Sequence, residues 1–239
     1  MAKRGNFFVR LCYGYVGRYK DTSKMTTKEV IEEFLKRKGV SSPKEFFQKR
    51  FIGLRIREES IDAPITPITE EAINRVQYID IPGYTKEQCQ YIVEQHKELL
   101  RYARDNNNNG EVAFVFRQGL KEKTIAIGTD GDVNITRAID GKGTNIVLMH
   151  NHPRNSGFSA RDIKSFMTTD ISTMTIIKND GGVEIISKTK EFDLKKAKLA
   201  LGRELRKFGN KKEYTHQEFK LALEKFLNKN GGAIVWIRK

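Results

Sequence analysis

His150 and His152, two of the four histidines in this 239-residue chain, stand two positions apart, and Asp162 follows ten positions later. The run 145–149 before them (Asn-Ile-Val-Leu-Met) reads as a buried strand. Residues i and i+2 of a strand share a face, so both imidazoles can converge on one ion. Asp162 can join them if the intervening loop turns back. Two imidazoles and a carboxylate suit Zn2+ and would accept other divalent ions. Three N/O ligands leave one tetrahedral position open, as in catalytic rather than structural zinc sites.

Zinc lowers the pKa of its bound water to about 7. Hydrolysis then needs a general base and a donor for the developing oxyanion. Glu111 is the candidate base, because a carboxylate at the start of an apolar strand is unexpected. Glu122 is its rival, although Lys121-Glu122-Lys123 reads as a charged turn. Ser159 is the candidate donor. Ser159-Ala160-Arg161-Asp162 equally fits a helix start, with Ser159 as N-cap and Asp162 at the third position.

The stretch from His150 to Ile163, His-Asn-His-Pro, a short loop, then Ser159-Ala-Arg-Asp162, resembles the JAMM (JAB1/MPN+) metalloprotease superfamily. Its His-Asn-His-Pro form looks most like the RadC-like branch and the JAB-like domains of phages and mobile elements. The resemblance covers about residues 110–190. It implies that His150, His152 and Asp162 hold Zn2+, that Glu111 is the base and that Ser159 assists the oxyanion. It further implies a JAB/MPN-like α/β (α+β) core, a mixed sheet flanked by helices. One departure stands out: six residues, Pro153 to Phe158, separate His152 from Ser159 where the family pattern has seven. Gly157 offers the freedom for the shorter loop to turn.

The elements that must position these residues follow from periodicity. Thr26 or Thr27 opens a helical pattern to Lys38, and Ser42-Pro43 starts a second short one with Phe46 and Phe47. Aromatic-rich residues 6–16 read as a short strand. Residues 60–84, with Pro64, Pro67 and Pro82, read as a linker broken by a short helix near Glu70–Val76. Thr85-Lys86-Glu87-Gln88 fits a capping box, and the helix behind it buries Cys89, Ile92, Val93, His96, Leu99, Leu100 and Ala103, with His96 on or beside the stripe as a packed histidine. From Glu111 the period becomes strand-like. Further strands are expected at Thr124–Gly128, Val133–Ile135, Ile146–Met149, Thr173–Lys178 and Val183–Lys188. Asn179-Asp180-Gly181-Gly182 supplies a hairpin turn between the last two. Helices are expected at Ser159–Thr168, Asp193–Phe208 and Thr215–Asn228, and a strand or docking tail at Ala233–Ile237. These divide the chain into a basic extension (1–84), a metal-binding domain (85–190) and a basic helical extension (191–239).

Charge is uneven. Residues 1–60 carry 15 Lys/Arg against 7 Asp/Glu, residues 190–239 carry 14 against 6, and the middle carries 15 against 17. The motif therefore lies in a near-neutral segment between two basic ones. Basic flanks attract acidic proteins, nucleic acid or anionic lipid. No zinc-finger or aromatic RNA-binding signature accompanies them. Cys12 and Cys89 suggest free thiols in a reducing compartment. No apolar run reaches the length of a membrane span, so a soluble, cytoplasmic protein is expected. These readings lead to a zinc-dependent peptidase or isopeptidase acting on a peptide or protein substrate, for which an acidic one would suit the flanks. The alternative is a nucleic-acid-associated or phage-assembly accessory protein that uses the domain for binding.

Overall fold

A computed structural model describes residues 12–13, 15–38, 55–56, 63–129, 133–135, 139, 145–211 and 213–239. The chain divides into two compact units, Met1–Gly53 and Leu54–Lys239. In the first, helix α1 (Thr27–Lys38) buries Val30, Phe34 and Leu35 against Cys12 and Val16. Cys12, Tyr13, Tyr15 and Val16 are helical, not the strand their aromatic composition suggests. Cys12 and Val16, four apart, share one helical face toward α1, and this packing overrides local β propensity. The short helix expected at Ser42–Phe47 lies outside the described residues.

The second unit runs β1 (Arg55–Ile56), α2 (Glu70–Arg75), α3 (Lys86–Asn106), β2 (Val112–Arg117), β3 (Glu122–Ile127), β4 (Ile146–His152), α4 (Ala160–Thr168), β5 (Ile171–Lys178), β6 (Val183–Lys188), α5 (Leu194–Arg206), β7 (Glu213–Tyr214), α6 (His216–Asn228) and β8 (Ile234–Arg238). Six strands form one sheet in the order β3-β2-β4-β5-β6-β8, and β1 pairs with β7 separately. Only the β4–β5 pair of the large sheet is parallel; the other neighbours are antiparallel. The result is an α+β fold, a mixed sheet flanked by helices.

Capping chemistry sets the helix starts. Thr85 and Gln88 close a reciprocal box at α3, Ser159 and Asp162 at α4, and Thr215 and Glu218 at α6. The 179–182 turn joins β5 to β6 as its glycines require: Gly181 has φ +93°, a region closed to most side chains. Val133–Ile135 forms no strand. Asn134 at its centre is a poor strand former, and three residues carry little β propensity.

The sheet is covered on both faces, which is why β4 is buried along its whole length. On one face α3 packs Ile92, Val93, Leu99, Leu100 and Ala103 onto Phe114, Phe116, Val147, Met149 and Ile185. The opposite face takes the alternate side chains, among them His150 and His152, and α4 packs there against β5. A parallel strand pair cannot be joined by a hairpin. The chain therefore leaves β4 at His152, crosses over the sheet through residues 153–159 and α4, and re-enters as β5. That crossover brings Asp162, in the first turn of α4, back over the histidines.

Candidate metal centre

The expected ligands and base meet. Among the described residues, Glu111, His150 and His152 form a buried group able to hold a metal ion, with ligand atoms all within 4.8 Å of one another. The two imidazole Nε2 atoms are 3.0 Å apart. Asp162 Oδ1 lies 3.3 Å from His150 Nε2, and Oδ2 lies 3.6 Å from His152 Nε2. Two tetrahedral ligands of zinc, at about 2.0–2.1 Å each, would stand roughly 3.3–3.4 Å apart. The nitrogen–nitrogen spacing is within a few tenths of an ångström of that. Two Nε2 lone pairs this close repel unless a proton or a cation lies between them. Two imidazoles and one carboxylate, with a second carboxylate beside them, suit a divalent ion, and the donor atoms do not fix which one.

The supports around the ligands are uneven. His152 Nδ1 faces Ser156 twice, at 3.0 Å from its carbonyl oxygen and 3.0 Å from Oγ. An Nδ1–H donated to that carbonyl leaves the Nε2 lone pair for an ion, the usual arrangement of a metal-binding imidazole. His150 has no such support: its Nδ1 is buried with no hydrogen-bond partner among the described residues. Ser159 donates its hydroxyl to Asp162 Oδ2 at 2.6 Å, and its backbone N–H donates to the same oxygen at 2.8 Å. Asp162 N–H returns the bond to Ser159 Oγ at 3.1 Å. The cap and the ligand position are therefore compatible: Oδ2 closes the box while Oδ1 faces His150.

Electrostatics follow from burial and neighbours. Burial alone would raise the Asp162 pKa, but the adjacent His150 and His152 outweigh it and hold the carboxyl well below its ordinary range. Burial alone would lower His152, yet Asp162 and, further off, Glu111 push it above the ordinary histidine value. The site is arranged to hold positive charge.

Glu111 precedes β2, 7 % exposed, and Glu122 is exposed at the start of β3, hydrogen-bonded to Gln118 at 2.7 Å, away from the histidines. The loop from Pro153 to Phe158 turns at Asn155, not at Gly157. Asn155 has φ +54°, while Gly157 has no left-handed backbone. Gly157 instead passes close to the buried Glu184, whose Oε1 would be 3.4 Å from an added Cβ. Asn155 is held by Asp180 N–H, which donates to its Oδ1 at 3.1 Å, and by its own Nδ2 bond to Thr66 Oγ1 at 3.0 Å. Thr66 N–H donates to Pro153 carbonyl at 2.8 Å, and Arg154 Nε to Ala63 carbonyl at 2.7 Å. The 63–66 segment thus braces the loop that the short spacing had left in question.

Sequence reasoning did not find Ser156, Asn155, Asn151 or Asn179 as supports. Asn151 and Asn179 carried a readable signal, since asparagine is depleted from strands and is seldom fully buried. No protein-family model matches this chain, and neither does any curated protein or solved structure.

Proposed function

We propose that the chain is a zinc-dependent hydrolase of the JAMM type that cleaves a peptide or isopeptide bond. The observation that carries the reading is the convergence of Glu111, His150 and His152 in one buried group, with Asp162 facing both Nε2 atoms. His150, His152 and Asp162 would hold the ion, which when bound supplies an acidified water and a polarised substrate carbonyl. Glu111 stands close enough to accept a proton from water and to hand it to the leaving nitrogen. Ser159 can donate to an oxyanion only by turning its hydroxyl away from Asp162, so in the resting site its proton serves the cap and the carboxylate.

The same four side chains could be satisfied by protons alone, as a His–carboxylate network. Metal analysis separates the two. Wild type should hold about one zinc per chain and His152→Ala should lose it with the fold intact. Zinc-loaded wild type should turn over a member of a panel of linear peptides and ubiquitin-like conjugates, and Glu111→Gln should do so about 10²–10⁴-fold more slowly. A metal-free wild type, or a loaded one inert across the panel, would overturn the reading. The basic segments 1–60 and 190–239 suit an acidic substrate. No described helix is long and apolar enough to cross a membrane.

A further inference from the structure

We infer that Asn151, the residue between the two histidines, is a positioning residue for Glu111. The inference rests on the reading of Glu111 as the base, but its geometry stands without a metal. Alternation along β4 turns the Asn151 side chain away from His150 and His152. It is completely buried. Its Oδ1 accepts the Val112 N–H at 2.7 Å, and its Nδ2 donates to the Gly110 carbonyl at 3.1 Å and to Asn179 Oδ1 at 2.9 Å. One amide therefore grips the peptide groups on both sides of Glu111.

The regular ladder between β2 and β4 ends at Ala113 opposite His150. Beyond it the Asn151 side chain replaces the backbone bonds that would have continued, and Glu111 sits at that transition. Further bonds to the Glu111 backbone come from the opposite side. Its N–H donates to Thr129 carbonyl at 2.9 Å, and its carbonyl accepts Gly128 N–H at 2.9 Å and Asn107 Nδ2 at 2.9 Å. The Asn151 clamp ties Glu111 to the histidine strand itself.

The clamp is chemically selective. One donor and two acceptors face the amide, so only a side chain with both a carbonyl and an NH2 satisfies all three. Aspartate would accept from Val112 but would set a carboxylate oxygen against two other oxygens. Asn179 completes the set, donating through Nδ2 to Thr66 carbonyl at 2.8 Å and to Asn109 carbonyl at 3.0 Å. Every polar atom of the pair is thereby used, as burial demands.

The test compares metal-free crystal structures of wild type and Asn151→Ser, with Asn179→Ser as a milder variant should Asn151→Ser fail to fold. The expected result is a Glu111 carboxylate moved outside the 4.8 Å grouping with His150 and His152, with the β2–β4 register kept. Turnover of the zinc-loaded variant should fall about 100-fold, the scale of an ångström-sized misplacement, with KM and zinc affinity nearly unchanged. In the Glu111→Gln background the same substitution should cost less than about twofold, because its effect runs through Glu111. Glu111 found in place in the variant crystals, or losses that multiply in the double variant, would overturn the inference. Should wild type prove metal-free or inert, the proposed hydrolase falls, and the metal-free crystals still decide the role of Asn151.

Discussion

The sheet buries histidines on both faces, and the two environments are opposites. On the α3 side, His96 is 1 % exposed and its Nε2 lies 2.8 Å from Thr175 Oγ1. Its pKa is lowered from 6.5 to about 4 by burial. On the α4 side, His152 is also buried, yet Asp162 and Glu111 carry its pKa upward against burial. The two positions are separated by the thickness of one sheet, since Thr175 and Ile176 are the β5 partners of Met149 and His150. Burial alone silences an imidazole as a cation; burial beside two carboxylates makes it part of a charge-binding site.

The strongest way to break this contrast is to remove one side of it. His150→Ala or His152→Ala should weaken zinc binding by several hundredfold in competition with a chromophoric chelator. That follows from apparent free energies of about 10–16 kcal/mol for four-ligand structural zinc sites, of which each ligand supplies about a quarter. His96→Ala should leave zinc affinity unchanged.

The second test titrates the silent histidine. Between pH 6.5 and about 4 the unfolded chain binds a proton that the folded chain refuses at His96. Unfolding free energy should therefore fall as pH falls through that window, by on the order of 3 kcal/mol in total. Denaturant melts at a series of pH values should show this slope in wild type, and His96→Gln should flatten it. An unchanged slope in the variant would remove His96 from the account.

A smaller effect concerns the His96–Thr175 bond. Thr175→Val should cost about 1–3 kcal/mol by stranding the imidazole nitrogen, while His96→Leu with Thr175→Val should recover most of that loss. Neither change should alter metal content. The smallest effect distinguishes two helix caps. Ser159→Ala and Thr215→Ala should each cost about 1 kcal/mol of stability. Only Ser159→Ala should also weaken zinc binding, by roughly 10–100-fold, because only that cap holds a proposed ligand, Asp162. Equal zinc affinity in the two variants would detach Ser159 from the site.

Much of this architecture was legible because its signals are local. The Thr85 and Thr215 boxes, the 179–182 turn and the spacing of His150, His152 and Asp162 each lie within a few residues, and the structure carries them as read. Glu111 was legible for a different reason: a carboxylate among Val112, Phe114 and Phe116 violates the strand's apolar pattern. What was missed depends on distant partners. Cys12, Tyr13, Tyr15 and Val16 read as part of a strand, but they are helical and pack on α1. Val133–Ile135 looked like a strand and forms none. Asn155 took the left-handed turn in place of Gly157 because Asp180 and Thr66, far along the chain, hold its amide. The supports from Asn151 and Asn179 likewise join segments that only the folded sheet brings together.

The crossover between β4 and β5 also sets an order of assembly. His150, His152 and Asp162 belong to one continuous stretch, closed by a loop and the first turn of a helix, and such short closures form in well under a microsecond to microseconds. Glu111 reaches them only when β2 docks antiparallel on β4, a contact across a much longer loop that carries a larger entropic cost. If these residues act as proposed, a nascent or partly unfolded chain would hold the three proposed ligands together before the proposed base reaches them. On the proposed reading, loading and competence would be separate events, and the pairing of β2 with β4 would be the step that joins them.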